Sequence, residues 1–311
     1  MADPAETDVL VVGEALIDRI ERDGTVVGEH VGGSPANVAA GLARLGHPVE
    51  LATHLGADER GQQIADHLAA HGVRLSAGTD RSATTSVATA RLDAGGAAGY
   101  DFDLEWRLGE VPLDGVGHLH TGSIAATLEP GGSQVLALLD RARAAGATVS
   151  YDPNARPGIM GGADEVRARV EDYVRRSDIV KASDEDLAWL YAGASLTEVM
   201  QRWRRSGPAA VVVTRGGSGA LVQVGEAEPV PAPAPPVQVV DTVGAGDSFM
   251  AGLVSGLLDA GLLGRSGARQ ALAQGDAGRV LAAVRRGLAC AALTVSRAGA
   301  YSPTRQELVA G

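Results

Sequence analysis

Short apolar, β-branched runs alternate along this chain with longer stretches whose apolar residues recur every three or four positions. Val9-Leu10-Val11-Val12, Val49-Glu50-Leu51-Ala52-Thr53, Thr148-Val149-Ser150-Tyr151, Asp178-Ile179-Val180 and Val211-Val212-Val213-Thr214 predict buried strands. Ser34-Pro35, a capping residue followed by proline, predicts a helix start; Val38, Leu42 and Leu45 share its apolar face and Gly46 stops it. Further helices are predicted near Gln62 to His71 and from Ser133 to Ala145, each ended by glycine. A last one, through Met250, Leu253, Val254 and Leu257, follows a strand predicted at Val237 to Val240. Such alternation predicts an α/β fold with a mainly parallel sheet covered by helices on both faces.

Two stretches break the rhythm. Residues 20–31 and 84–106 alternate in polarity without intervening helices, as a small antiparallel sheet standing off the body as a lid would. The proline-rich stretch 231–236 predicts an edge strand or a surface connection, since it supplies few backbone donors.

With 311 residues, 45% of them apolar, the chain fits one large α/β domain. No apolar run reaches the roughly 18–20 residues a membrane helix needs, and the opening MADPAETDVLVV has no signal-peptide pattern. Cys290, the only cysteine, is read as a packing residue; it forms no internal disulfide and fits a cytoplasmic setting. A formal charge of -11 disfavours nucleic acid and anionic membranes as partners.

The most informative segment is Asp241-Thr242-Val243-Gly244-Ala245-Gly246-Asp247-Ser248-Phe249. Its glycines permit close approach of a ligand, and the first amides of the following helix, over 244–247, make a site for a transferring phosphoryl group. Asp247, in that first turn, is placed to take a proton from an attacking hydroxyl. The plainer reading, a turn with Asp247 complementing a helix N-terminus, stands beside it.

DTVGAGDSFMAG resembles the C-terminal signature of the ribokinase-like (PfkB) carbohydrate kinases, and Gly32-Gly33-Ser34-Pro35-Ala36-Asn37-Val38-Ala39 through Gly46 resembles the N-terminal one. The likeness covers nearly the whole chain and is nearest the fructokinase-type branch. It implies a three-layer ribokinase-like fold with a β-lid, in a single kinase domain over residues 1–311. It also implies ATP with Mg2+ as co-substrate, Asp247 as base, and Gly244, Ala245 and Gly246 as the anion cradle. In GEALID, Asp18 is implied to bind two sugar hydroxyls, joined by Gly33 and Asn37.

Thr214-Arg215-Gly216-Gly217-Ser218-Gly219 resembles the family's nucleotide loop; from the residues alone a hairpin turn serves as well. Lys181 stands where many relatives carry asparagine and is implied to meet nucleotide phosphate. Asp184 and Glu185 would hold magnesium through water, or else form a capped helix start. Asp241, Ser296 and Gly299 fall where relatives bind a monovalent cation, K+. Arg156, in Asp152-Pro153-Asn154-Ala155-Arg156, would reach substrate or phosphate, or pair with Asp152.

Phe102 and Trp106 are read either as rings closing over the acceptor or as lid packing. Asp101, Asp103 and Glu105 around them argue for a neutral acceptor, with fructose favoured. The rivals are 2-keto-3-deoxygluconate, ribose or a nucleoside as acceptor, and a catalytically inert sugar-binding regulator. A homodimer through the lid edges is expected from the resemblance alone.

Overall fold

The computed structural model describes residues 8–92, 98–264 and 266–310. Residues 93–97 of the predicted lid segment, and the first seven residues, lie outside them. The chain begins with β1 (Asp8–Val12), β2 (Leu16–Arg22), β3 (Thr25–Gly32), α1 (Ser34–Arg44), β4 (Val49–Ala52) and β5 (His54–Gly56). Next come α2 (Glu59–Ala70), β6 (Val73–Leu75), β7 (Asp80–Ser82), β8 (Val87–Leu92), β9 (Ala98–Asp103) and β10 (Val116–Gly122). The middle holds α3 (Gly131–Ala144), β11 (Thr148–Asp152), α4 (Pro157–Met160), α5 (Ala163–Arg176), β12 (Ile179–Ser183), α6 (Asp184–Leu190) and α7 (Leu196–Ser206). The last third holds β13 (Ala210–Thr214), β14 (Ala220–Val224), β15 (Val230–Ala232), α8 (Ala245–Asp259), α9 (Ala268–Ala273), α10 (Ala277–Val295) and α11 (Arg305–Ala310).

Nine strands make the main sheet in the order β15-β14-β13-β12-β11-β10-β1-β4-β6. The pairs from β6 to β13 are parallel, and β14 and β15 close one edge antiparallel. One face of the sheet packs on α1, α2, α8 and α10, the other on α3, α5, α6 and α7, so the fold has the three layers the sequence predicts. A separate four-stranded sheet runs β3-β2-β8-β9; its two hairpins are antiparallel but they join through a parallel β2–β8 pair, so the sheet is mixed where an antiparallel one was expected. Its β2–β3 hairpin turns at Asp23-Gly24, both at positive φ (51° and 75°), the backbone that a two-residue hairpin loop requires.

The structure corrects two expectations about elements and adds a strand that the apolar pattern missed. Val237 to Val240 is no strand: the prolines before it remove ladder donors, and Val240 instead donates its N–H to the Val295 carbonyl at 2.7 Å. Three of these valines, Val237, Val239 and Val240, stay exposed. The N-cap of α1 is Gly33, not Ser34, and the Ser34 hydroxyl is used elsewhere. Strand β10 escaped the apolar pattern because its positions facing α8 are His118 and His120.

Those histidines belong to a buried polar strip. Thr148 Oγ1 accepts from the Gly264 N–H at 2.9 Å and lies 2.9 Å from His118 Nδ1. Ser150 Oγ lies 2.9 Å from both His118 Nε2 and His120 Nδ1. Burial holds both imidazoles neutral, with pKa values pushed down to about 3. On the same face, β11 ends in Asp152 and β12 carries Lys181. The strip therefore runs along two central strands to the carboxyl rim of the sheet, where open parallel sheets bind ligands.

Candidate active site

At that rim Asp247 occupies the first turn of α8, whose N-cap is Gly244 in the left-handed region (φ 73°). A side chain at Gly244 would meet Ala300 Cβ at 2.7 Å, so this turn closes directly onto the loop after α10. Ala245 spends its N–H on the Thr242 carbonyl (3.2 Å), which removes it from the predicted cradle of free amides. Among the described residues the Gly246 and Asp247 amides have no acceptor and remain available to an anion.

Asp247 is 8% exposed and gripped from three sides. Ser34 Oγ donates to its Oδ1 at 2.6 Å and Asn37 Nδ2 to its Oδ2 at 2.8 Å. Asn154 Nδ2 reaches Oδ1 at 3.5 Å, from a backbone at φ 35°. Two donors come from the first turn of α1, so the two glycine-rich segments, some 210 residues apart, meet at one carboxylate. Oδ2, with the single donor Asn37, keeps a lone pair for a further donor.

Lys181 lies beneath this turn. It is 3% exposed, and its Nζ donates to Asp152 Oδ2 at 2.8 Å. A Cβ on Gly246 would come within 3.2 Å of that ammonium, so Lys181 backs the anion cradle from below. Asp152, Asp186 and Asp247 together outnumber the one lysine. Burial and the neighbouring acids raise Asp152 to about 6, while those carboxylates hold Lys181 charged despite its burial. Arg156 does not pair with Asp152. It folds back on Asn154, with Nη1 2.7 Å from Oδ1, and its charge is felt by Asp18 and Glu14.

Asp18 stands on β2 in the small sheet, directly opposite His30. A Cβ on Gly32 would lie 2.0 Å from Asp18 Oδ2, so that glycine makes room for the carboxylate. Crowding by the surrounding protein raises the Asp18 pKa; Arg156 and His30 oppose the rise and Asp247 adds to it. Asp18 thus faces the Asp247 side. Gly33 (φ 103°) has a packing reason as well: a Cβ there would sit 2.5 Å from the Glu14 carbonyl oxygen. Phe102 shares the Asp18 face through the register Asp18–Ala88–Phe102.

Trp106 does not close over an acceptor. It is 2% exposed in the core, with Nε1 donating to the Ala125 carbonyl at 3.0 Å. The acidic residues around it also point elsewhere. Asp101 and Asp103 alternate with Phe102 onto the opposite face, and Glu105 lies 3.6 Å from the buried His54. Their charge therefore says nothing about the acceptor.

Thr214, Arg215, Gly216, Gly217 and Gly219 form the β13–β14 hairpin loop at the same rim. Gly219 (φ 84°) is enforced by the Ala232 carbonyl, 2.1 Å from where a Cβ would stand. Asp184 and Glu185 open α6 behind the Ser183–Asp186 capping box and show no ion pair among the described residues; Glu185 is exposed. Asp241 accepts from the Val243 and Gly299 amides (3.0 and 2.8 Å), which tie it to the loop beyond Ser296 and hold its pKa low. Ser296 caps α10 and turns its Oγ to the Leu293 carbonyl. Among the described residues no three His, Cys, Asp or Glu side chains converge as a ready-made metal site.

Sequence reasoning passed over Ser34, Asn154, Asp152, His30 and Glu14 as site residues. Glu14 is buried, accepts from the Ala125 N–H at 3.1 Å, and burial pushes its carboxyl up to about 7. A signal existed for some: Ser34 and Asn154 sit inside the very motifs that supply Asn37 and Arg156.

A carboxylate beside free helix amides, with polar side chains converging on it at the carboxyl rim, defines a phosphotransferase acting on a hydroxyl. The pfkB family carbohydrate kinase profile matches residues 6–307, and the chain belongs to that family. It is 36% identical over 262 residues to a fructokinase of Rhizobium leguminosarum bv. trifolii, covering 80% of this chain and 79% of the relative. The fold is similar to the fructokinase of Xylella fastidiosa with bound ATP (TM-score 0.86, 27% identity, 97% of each chain). It is also similar to a double mutant of the Vibrio cholerae O395 fructokinase bound to fructose, ADP and potassium ion (TM-score 0.78, 27% identity, 98% and 97% of the chains). Cys290 is buried against Gly252, as a packing residue would be. No helix among the described residues is long and apolar enough to cross a membrane.

Proposed function

We propose that this protein transfers the γ-phosphate of ATP to a hydroxyl of fructose, with Asp247 as the general base. The observation that carries the reading is the fixed Asp247 carboxylate beside the unclaimed Gly246 and Asp247 amides. Asp18 and Asn37 hold the sugar, with Gly33 and Phe102 lining its site and Arg156 at the mouth. Gly244 supplies the turn and Lys181 the charge beneath it. Thr214, Arg215 and the glycines 216, 217 and 219 receive the nucleotide. Fructose is preferred because the fructokinases named above cover most of this chain.

Asp184 and Glu185, hard oxygen donors free of ion pairs, fit a magnesium ion that arrives with ATP and keeps most of its waters. Bound there, the ion neutralises phosphate charge. Asp241, held beside the loop of Ser296 and Gly299 by the Gly299 amide, would supply a carboxylate to K+ there. The whole chain acts as one kinase domain whose small sheet is the lid, at work in the cytoplasm, and lid edges β3 and β9 pair in a homodimer.

The test is ADP release with Mg-ATP over fructose, ribose, 2-keto-3-deoxygluconate and adenosine, with and without K+. Fructose is expected to give the highest kcat/KM. Asp247→Asn lowers kcat about 10²–10⁴-fold at little change in fructose KM; near-normal turnover in that variant sinks the base assignment.

A further inference from the structure

We infer that His30 is an acceptor-specificity residue: together with Asp18 it reads the hydroxyl pattern of the sugar. The inference rests on the sugar-kinase reading above and names a residue that reading does not use.

One row of the small sheet crosses all four strands as His30, Asp18, Ala88 and Phe102, by the registers Asp18–His30, Asp18–Ala88 and Ala88–Phe102. Residues in such a row share a face, here the one on which Asp18 meets the fields of Arg156 and Asp247. The neighbours of His30 on that face of β3 are Gly28 and Gly32, and β8 offers Ala88 and Ala90. Leu16 and Ile20 flank Asp18 along β2 on this face, and glycine and alanine keep the rest of it low around a carboxylate, an imidazole and a phenyl ring. His30 Nε2 lies 3.3 Å from where a Cβ on Gly28 would be, so the ring leans along the strand over that glycine.

The chemistry of the three differs. Asp18 only accepts, whereas an imidazole always carries at least one N–H donor. Directly opposite residues hold their Cβ atoms about 4.5–5.5 Å apart. The pair therefore meets two different hydroxyls of one small polyol, while Phe102 covers its C–H side. Removing His30 costs a hydrogen bond that the sugar makes before and during transfer alike, so the loss falls on KM.

The test compares His30→Ala and His30→Asn with the unaltered enzyme, using Mg-ATP and fructose alongside a series of monodeoxy-fructoses. His30→Ala is expected to raise fructose KM about tenfold, the worth of one hydrogen bond, with kcat and the KM for ATP within about twofold. His30→Asn, which keeps a donor and an acceptor, recovers part of the loss. One deoxy sugar binds the unaltered enzyme and His30→Ala equally, and identifies the hydroxyl His30 reads. Equal fructose KM in all three proteins overturns the inference, as does an increase spread evenly over every deoxy sugar. If the unaltered enzyme turns over no fructose, the proposed function itself falls; turnover with unmoved KM values removes His30 alone.

Discussion

The face of the main sheet that packs on α3, α5, α6 and α7 and the face that packs on α1, α8 and α10 use the same strands and opposite chemistry. Toward the first, β10, β11 and β12 present Leu119, Val149, Tyr151, Val180 and Ala182, which join Trp106, Tyr173 and Trp203 in a continuous core. Toward the second the same three strands present His118, His120, Thr148, Ser150, Asp152 and Lys181, and the apolar core there draws on β1, β4 and the strands beyond β11 instead. Both buried tryptophans and the buried tyrosines stand on the first face; the second keeps Phe249 and the polar side chains of these strands. An α/β sheet can hold its stability on one side and thread a polar strip through the other, at the expense of hydrogen-bonding every group in that strip.

Three substitutions test this division. Trp203→Ala removes a 1%-exposed ring that stacks edge-on with Tyr191 (6.0 Å) and donates to its hydroxyl. It should destabilise by about 3–5 kcal/mol, measured by urea unfolding, with kcat and KM of the folded protein unchanged. A large change in either constant would mean that the faces are not separable. Glu14→Gln probes the rim instead of either face. The native Glu14 keeps its proton up to about pH 7, whereas the unfolded carboxyl loses it near 4.5. The resulting stability is fully present below the lower value and gone above the upper one. The variant should therefore gain on the wild type, by up to about 3 kcal/mol, as pH rises through that window; a difference flat with pH would argue against a protonated Glu14. Ser150→Ala leaves two imidazole nitrogens without their shared hydroxyl. The expected loss is about 1–3 kcal/mol, read by thermal unfolding, and a neutral result would show that the strip tolerates unpaired groups.

The apolar face was legible in the sequence because its strands read as Val-, Leu- and Ile-rich runs. The two glycine-rich motifs were legible too, since they hold Asn37 and Asp247 at recognisable spacing. The polar strip was not. In β10 the period-two signal is inverted, His118 and His120 being as buried as Leu119 between them, and hydropathy gives no sign of that. Ser34 was hidden for a different reason. A serine before proline at a helix start suits a cap, and only the long-range approach of α8 reveals that its hydroxyl serves Asp247. Trp106 shows the converse: an aromatic at the end of the predicted lid segment turned out to be an anchor of the core. Local pattern sees neighbours in sequence, and these residues answer to partners far from them.

The grip of Ser34 and Asn37 on Asp247, and the closure of Gly244 onto Ala300, carry a consequence for how the protein is made. A chain emerging from the ribosome displays Asp18, Ser34 and Asn37 early, yet the carboxylate that the α1 donors are shaped to hold is synthesised some 210 residues later. The loop that closes over it comes after that. A nascent or C-terminally clipped chain is thus able to fold its first strands without ever assembling the Asp247 pocket, which is completed among the last events of biosynthesis.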